Sequence, residues 1–380
     1  MKKKYIIFSI VTLVLLVALI TSFNYFKTTN TYIDDSFNNQ TKISKGISMN
    51  LEQTAGAGDY KTVTRSVWPT EGYNFNAELS RCENGSTLSW DDTKKAVIVS
   101  GNLSDKCYVY FDLARFDETC DGSTLACRIA KQYTGTQGEN SLYYHDSTLT
   151  NGAGDNSYRY AGASNNVNNY ICLGSDATTC PDANLFRIIG VFGDQTKVIR
   201  AKSVGDKEWD TNDSNTWSTS SLNTYLNGEY LTSLGTLADK IATTTWKVGG
   251  GSTTYLYDVP KTAYQYEVGS SASTTTYDAK IGLMYVSDYG FAADQSGWTT
   301  KLSSYNSNKS KNWLNTGKYI EWTLSRNSDN TDNAFGVIST GYVDNYNVTK
   351  SYVVRPSFNL LSSVKYVSGS GSMSGLVRVN

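Results

Sequence analysis

Few residues in this 380-residue chain are of types that point directly to chemistry, and the first is an arginine. In SYVVRPSFNLL (351–361), Arg355 stands among apolar, strand-favouring neighbours. A guanidinium left unpaired inside a fold costs several kcal/mol, so a carboxylate or a ring of carbonyls must meet it. Glu321, at the head of EWTLSR (321–326), is the preferred partner and Asp288 the second choice. Pro356 offers no strand donor, so the Arg-Pro step belongs at an edge or bulge. The expected role of Arg355 is to organise the fold, with direct ligand contact as the alternative.

Catalytic signatures are absent: there is no G-x-S-x-G elbow, no H-E-x-x-H helix and no phosphate-binding glycine loop. The single histidine, His145 in LYYHD (142–146), reads as an exposed loop residue. With 35 acidic residues, two carboxylates at glycosidase spacing cannot be picked from sequence. The oxygen-rich runs DTNDSN (210–215) and SDNTDN (328–333) lack the glycine and bidentate glutamate of an EF-hand, and Asx turns account for them. No metal or cofactor is expected. Trp298, Trp313 and Trp322 are candidate sugar-stacking or interface residues, against the competing role of ordinary core packing.

Six cysteines, Cys82, Cys107, Cys120, Cys127, Cys172 and Cys180, suit an exported, disulfide-forming chain. Fifteen pairings are open. Proximity favours 82 with 107, 120 with 127 and 172 with 180, worth roughly 3.5, 2.5 and 2.5 kcal/mol in the chain-entropy view. A zinc site is disfavoured because no C-x-x-C pair occurs, and reduced buried thiols are the other alternative.

The elements that must position these residues are mostly strands. Only 18 % of residues are charged, whereas 28 Tyr, 31 Gly and abundant Ser, Thr and Asn favour strands and turns, giving an α+β, mostly β fold class. A net charge of −1 excludes an electrostatic partner such as nucleic acid. Residues 60–112 read as a small β-module holding a hairpin, STLSW (86–90) to AVIVS (96–100), with its ends pinned by Cys82. Residues 113–380 form the second domain, with helical promise over 113–130 and long loops over 143–170. FRIIGVF (186–192) and KVIRA (197–201) are strands around a Gly-Asp turn. A helix follows at STSSLNTYLN (218–227), stopped by Gly228, and residues 249–276 read as a surface excursion. IGLMYVS (281–287) restores strand character.

The amino end, MKKKYIIFSIVTLVLLVALITSFNYFK, places lysines before an apolar run and orients it with the lysines inside. A helix over the longer run spans roughly 33 Å, enough for a bilayer core of about 30 Å. Without a small-x-small cleavage site, residues 1–26 are expected to be an uncleaved transmembrane signal anchor rather than a cleaved signal. Residues 27–59 are then a polar stalk, with room for a short helix within 34–51.

Four segments in order, FRIIGVFGDQTKVIRA, WSTSSLNTYLN, NWLN…YIEWTLSR and AFGVISTGYV…YVVRPSFNL, resemble a bacterial exported family of unknown function with a W-x-L-R-S-like strand followed by G-x-R-P. That family is distantly similar to the C-type-lectin-like fold shared with formylglycine-generating enzymes, and the resemblance covers residues 185–380. It implies that Arg355 is the family's arginine before proline, on a strand crossing the domain centre. Formylglycine-generating enzymes use cysteines late in their fold; none follows Cys180 here, so that activity is not carried over. The resulting expectation is a membrane-anchored cell-surface protein, with most of the chain extracellular. Its noncatalytic, adhesin-like domain would bind glycan or protein ligands. An exported polysaccharide hydrolase and a structural envelope subunit are the alternatives.

Overall fold

The computed structural model describes residues 46–380 apart from 65–67, 70, 103 and 318. The anchor expected over 1–26 and most of the stalk lie outside these residues. Among the described residues no helix is long and apolar enough to cross a membrane. Strand outweighs helix, 33 % to 21 %, so the chain is mostly β with helices interspersed. It divides into two compact units at Arg115/Phe116.

The first unit holds β1 (Ile47–Glu52), β2 (Tyr60–Val63), β3 (Tyr73–Cys82), β4 (Thr87–Asp91), β5 (Ala96–Ser100) and β6 (Cys107–Leu113). Its sheet runs β2-β1-β6-β3, with β1 and β6 parallel, and β4 and β5 form the expected hairpin. Alternation dictates which side faces inward: Val109 and Phe111 on β6 are fully buried, together with Met49 and Leu51 on β1. The stalk reading of 27–59 therefore fails at its end, and so does a helix reaching residue 51. In MNLE the apolar residues recur every second position, the period of a strand and not of a helix, and all four residues are buried.

The second unit adds β7 (Leu142–Tyr144), β8 (Tyr158–Tyr160), β9 (Tyr170–Cys172), β10 (Leu185–Phe192), β11 (Gln195–Arg200), β12 (Asp206–Glu208), β13 (Thr244–Lys247), β14 (Thr276–Ala279), β15 (Glu321–Arg326), β16 (Asn333–Val337), β17 (Val343–Asn347), β18 (Ser351–Val353), β19 (Ser357–Leu360), β20 (Tyr366–Ser368) and β21 (Val377–Val379). Its larger sheet runs β19-β11-β10-β9-β21-β20, with β8 and then β7 joined to β10. A second sheet runs β12-β18-β15-β16-β17, and β13 pairs with β14. β10 is buried over Leu185–Val191, as expected of an apolar strand covered on both faces. A two-residue Gly193-Asp194 turn, with Gly193 at φ +61°, returns it into β11. Gly190 permits β8 to approach: a Cβ there would stand 2.1 Å from the Tyr158 carbonyl oxygen.

Four local expectations are corrected. Residues 143–170 are not simply long loops, because most of β7, all of β8 and the start of β9 lie within them and Tyr144, Tyr158 and Tyr160 are core residues. Gly228 does not stop its helix. Ser221–Tyr225 continues through a π turn, Leu226–Tyr230, into Leu231–Ser233, because burying Leu226 and Tyr230 outweighs the roughly 1 kcal/mol preference against glycine. The excursion over 249–276 contains the helices Thr253–Leu256 and Pro260–Glu267, which bury Leu256 and Ala263 completely. Finally, the apolar run at 281–287 is no strand: after an isolated bridge from Gly282 to Ser357 it enters the helix Val286–Phe291. A continuous apolar run does not distinguish buried helix from buried strand.

Candidate functional site

The densest group of charges lies in the interior of the second unit. Arg159 on β8, Lys197 on β11 and Asp288 in the helix Val286–Phe291 are 2, 5 and 3 % exposed. Lys197 Nζ donates to Asp288 Oδ2 at 2.5 Å, and Arg159 Nη1 lies 3.4 Å from Asp288 Oδ1. The other arm of the Arg159 guanidinium reaches Asp155 at 2.5 Å, and its Nε donates to Ser157 Oγ at 2.8 Å. Asp288 Oδ2 also accepts the Tyr285 backbone N–H at 2.9 Å, one half of a capping box. Rings enclose both cations: Phe192, Trp246 and Tyr285 lie 5.6, 5.4 and 4.6 Å from Lys197 Nζ, and Phe192 lies 4.6 Å from the Arg159 guanidinium carbon. Burial pulls the Lys197 ammonium below its usual range despite Asp288, whereas Asp155 and Asp288 together raise Arg159 against its own desolvation.

Glu267, the last residue of the helix Pro260–Glu267, borders this group. Its carboxyl accepts the backbone N–H groups of Val286 and Ser287 at 3.0 and 2.9 Å, and the Ser325 hydroxyl donates to it. Burial, helped by the Asp288 charge, pushes its carboxyl up to about 7 in spite of those donors. His145 is likewise fully buried rather than exposed on a loop, and it is held down to about 3 by burial and then by Arg159. Its Nδ1 accepts the Ala153 N–H at 3.0 Å, and the ring packs on Phe291 and Trp298. The loop reading failed because the polar LYYHD stretch hides β7, which leads directly to the histidine.

The structure brings Arg355 and Glu321 together. Arg355 Nε donates to Glu321 Oε1 at 2.7 Å, with both side chains nearly sealed from solvent, and its Nη2 donates to the Leu314 carbonyl at 2.7 Å. Burial raises Glu321 even so. Asp288, the second-choice partner, belongs to Lys197 and Arg159 instead. Pro356 occupies the break between β18 and β19, where no ladder donor is required. A third buried arginine, Arg187, escaped sequence reasoning although it stands in β10 as plainly as Arg355 stands in its own stretch. Among the described residues no carboxylate enters its shell: Asn169 Oδ1, Ser164 Oγ and the carbonyls of Val167 and Trp313 accept its donors, and Tyr170 and Trp313 sandwich it. Desolvation lowers it to about 10.

None of the three candidate stacking tryptophans presents a face to solvent. Trp298, Trp313 and Trp322 are buried, with their indole N–H groups donating to the carbonyls of Ala293, Tyr160 and Lys207. Sugar stacking by these three is therefore set aside, since a ring must be reachable to stack on a ligand. Asp210 accepts the backbone N–H groups of Asn212, Ser214 and Ser221, the Asx-turn arrangement. The disulfides are Cys82–Cys107, Cys120–Cys127 and Cys172–Cys180.

An open groove of about 710 Å³ lies beside the Cys172–Cys180 loop. Ser175, Thr236, Lys240, Ser368 and Asn380 supply polar groups to it, and Leu237 and Val367 supply apolar ones. Arg378 fixes one wall by donating to the carbonyls of Ser175 and Ala177 at 2.8 and 2.9 Å.

Residues 193–362 match the model of a family described as Domain of unknown function (DUF6273). The match begins in the β10–β11 turn and ends just beyond β19. It takes in Lys197, Glu267, Asp288, Glu321 and Arg355, and leaves out Asp155, Arg159, Arg187 and all six cysteines. No curated protein and no solved structure matches the chain.

Proposed function

We propose that this chain is a membrane-anchored cell-surface protein whose second unit is a noncatalytic, adhesin-like domain of C-type-lectin-like kind, binding glycan or protein ligands outside the cell. The groove beside the Cys172–Cys180 loop carries this reading. Hydroxyl, amide and ammonium groups alternate there with Leu237 and Val367, the composition suited to a polar ligand that also has apolar faces. Its walls are held by a disulfide and by Arg378, so little ordering is required on binding. The strongly perturbed groups, by contrast, are enclosed in the interior, where a polymeric substrate has no access. Three disulfides suit an oxidising compartment, and the lysine-led apolar amino end supplies the anchor.

The test is a glycan and protein array probed with the full-length protein in detergent, alongside Thr236→Arg and Lys240→Glu variants. Wild-type binding that both variants lose supports the reading. Absence of binding on either array would move the assignment to a structural envelope subunit, and release of soluble sugar from a polysaccharide would move it to a hydrolase.

A further inference from the structure

The closeness of Lys197 and Asp288 raises a question that ligand binding does not answer. Their residues are 91 apart in sequence, one on a central strand and the other on a helix, yet the amine and carboxyl are in hydrogen-bond contact inside an aromatic shell. We infer that Lys197 and Asp288 condense to an intramolecular amide that cross-links β11 to the helix Val286–Phe291.

The step balances with what the site holds. Proton transfer along the existing hydrogen bond turns the ion pair into an amine and a carboxylic acid, the form that a low-dielectric interior favours. Lys197 Nζ then attacks Asp288 Cγ. The Nζ–Cγ bond forms and the Cγ–Oδ1 bond breaks. Oδ1 leaves as water, taking the acid proton that passes to it from Oδ2 and one from the amine, and Oδ2 remains as the carbonyl oxygen. The Tyr285 N–H already points at Oδ2 and stabilises the charge that develops there, and Arg159 faces the departing oxygen. Attack needs no encounter step, because the fold holds the reacting groups together. No oxidant, metal or nucleotide is consumed.

Charge balance favours the product. Before reaction the pocket holds Arg159 and Lys197 against Asp155 and Asp288, with Glu267 beside them. Condensation removes one charge of each sign from a place where keeping both is expensive. The remaining Arg159–Asp155 pair is self-compensating at 2.5 Å. Burial supports the chemistry from both sides, since it weakens the hold of Lys197 on its proton and keeps the neighbouring Glu267 in its neutral acid form below about pH 7. Glu267 is a positioning residue: by accepting the Val286 and Ser287 N–H groups it fixes the turn that presents Asp288.

The experiment is peptide mapping of the full-length protein, purified folded, then denatured, reduced and digested with trypsin. A branched peptide is expected that joins the segment around Lys197 to the segment around Asp288, with a mass equal to their sum less one water. It should appear in place of both linear peptides and be absent from Lys197→Arg and Asp288→Ala. Quantitative recovery from the wild type of cleavage after Lys197 and of an unmodified Asp288 peptide would overturn the inference. That outcome is read on the wild type alone and so does not depend on whether either variant folds. It also leaves the groove reading untouched, because neither residue lines the groove.

Discussion

Glu267 accepts the backbone N–H of Ser287 at 2.9 Å across 20 residues of chain, and so ties the end of one helix to the first turn of another. The carboxyl that does this is buried and titrates near neutrality, while His145, in the same unit, is buried in its neutral form. The two bias stability in opposite senses.

The first prediction concerns pH. Glu267 rises from 4.5 to about 7 on folding, so its contribution is present below about pH 4.5 and is lost as pH climbs through 7. His145 falls from 6.5 to about 3, so its contribution is present above about pH 6.5 and is lost as pH drops through 3. Between about pH 4.5 and 6.5 the two slopes cancel, so stability is expected to be flat there, to fall by roughly 2 kcal/mol as pH drops from 4.5 to 3, and to fall by under about 1 kcal/mol as pH climbs from 6.5 to 7. Urea unfolding of the wild type from about pH 3 to 8 checks this. Glu267→Gln should flatten the alkaline limb and His145→Gln the acid one; unaltered limbs in both variants would assign the curvature to other groups.

A second prediction separates the cost of breaking an ion pair from its net worth. Arg355→Met leaves Glu321 buried and charged or forces it to protonate, and should cost about 3–5 kcal/mol. Arg355→Met combined with Glu321→Leu replaces both partners by apolar groups and should recover most of that loss, leaving the Leu314 carbonyl as the residual penalty. A double mutant less stable than the single one, measured by denaturant midpoints, would show that the pair stabilises more than it costs to desolvate.

Arg187 gives a third. Its donors all go to neutral oxygens in a planar arrangement between two rings, which suits a guanidinium and not an ammonium. Arg187→Lys should therefore destabilise almost as much as Arg187→Met, by about 2–4 kcal/mol each. A lysine variant of near wild-type melting temperature would refute the geometric argument.

The disulfide beside the groove gives the fourth. Replacing Cys172 and Cys180 by serine releases an 8-residue separation, worth about 2.5 kcal/mol, and frees the loop that carries Ser175. The double variant should melt earlier and show faster amide exchange in that loop before any change in the rest of the large sheet.

Much of this architecture was legible in the sequence. The STLSW and AVIVS runs of the β4–β5 hairpin and the Gly-Asp turn between β10 and β11 announced strands, and cysteine proximity pointed to the pairs that form. An arginine among apolar residues announced a buried partner, and Glu321 stands there. Less was legible where long-range packing decides. Lys197 opens a strand-like stretch and gives no sign that it points inward, and Glu267 lies between Gly- and Ser-rich clusters that suggest surface. Asp288 was visible as a carboxylate in an apolar stretch, but its partners come from β8 and β11, and no local pattern encodes that meeting. The tryptophans illustrate the converse: aromatic abundance suggested ligand contact, and burial assigned those rings to the core.

The position of β21 has one more consequence. The strand Val377–Val379 lies between β9, with which it is parallel, and β20, and so joins the β20 edge strand to the rest of the largest sheet. Because Val377 pairs with Ile171 and Arg378 with Cys172, this part of the sheet cannot close before the segment carrying β21 has been made. Without β21, β9 would become an edge of the sheet and β20 would lose the strand it pairs with.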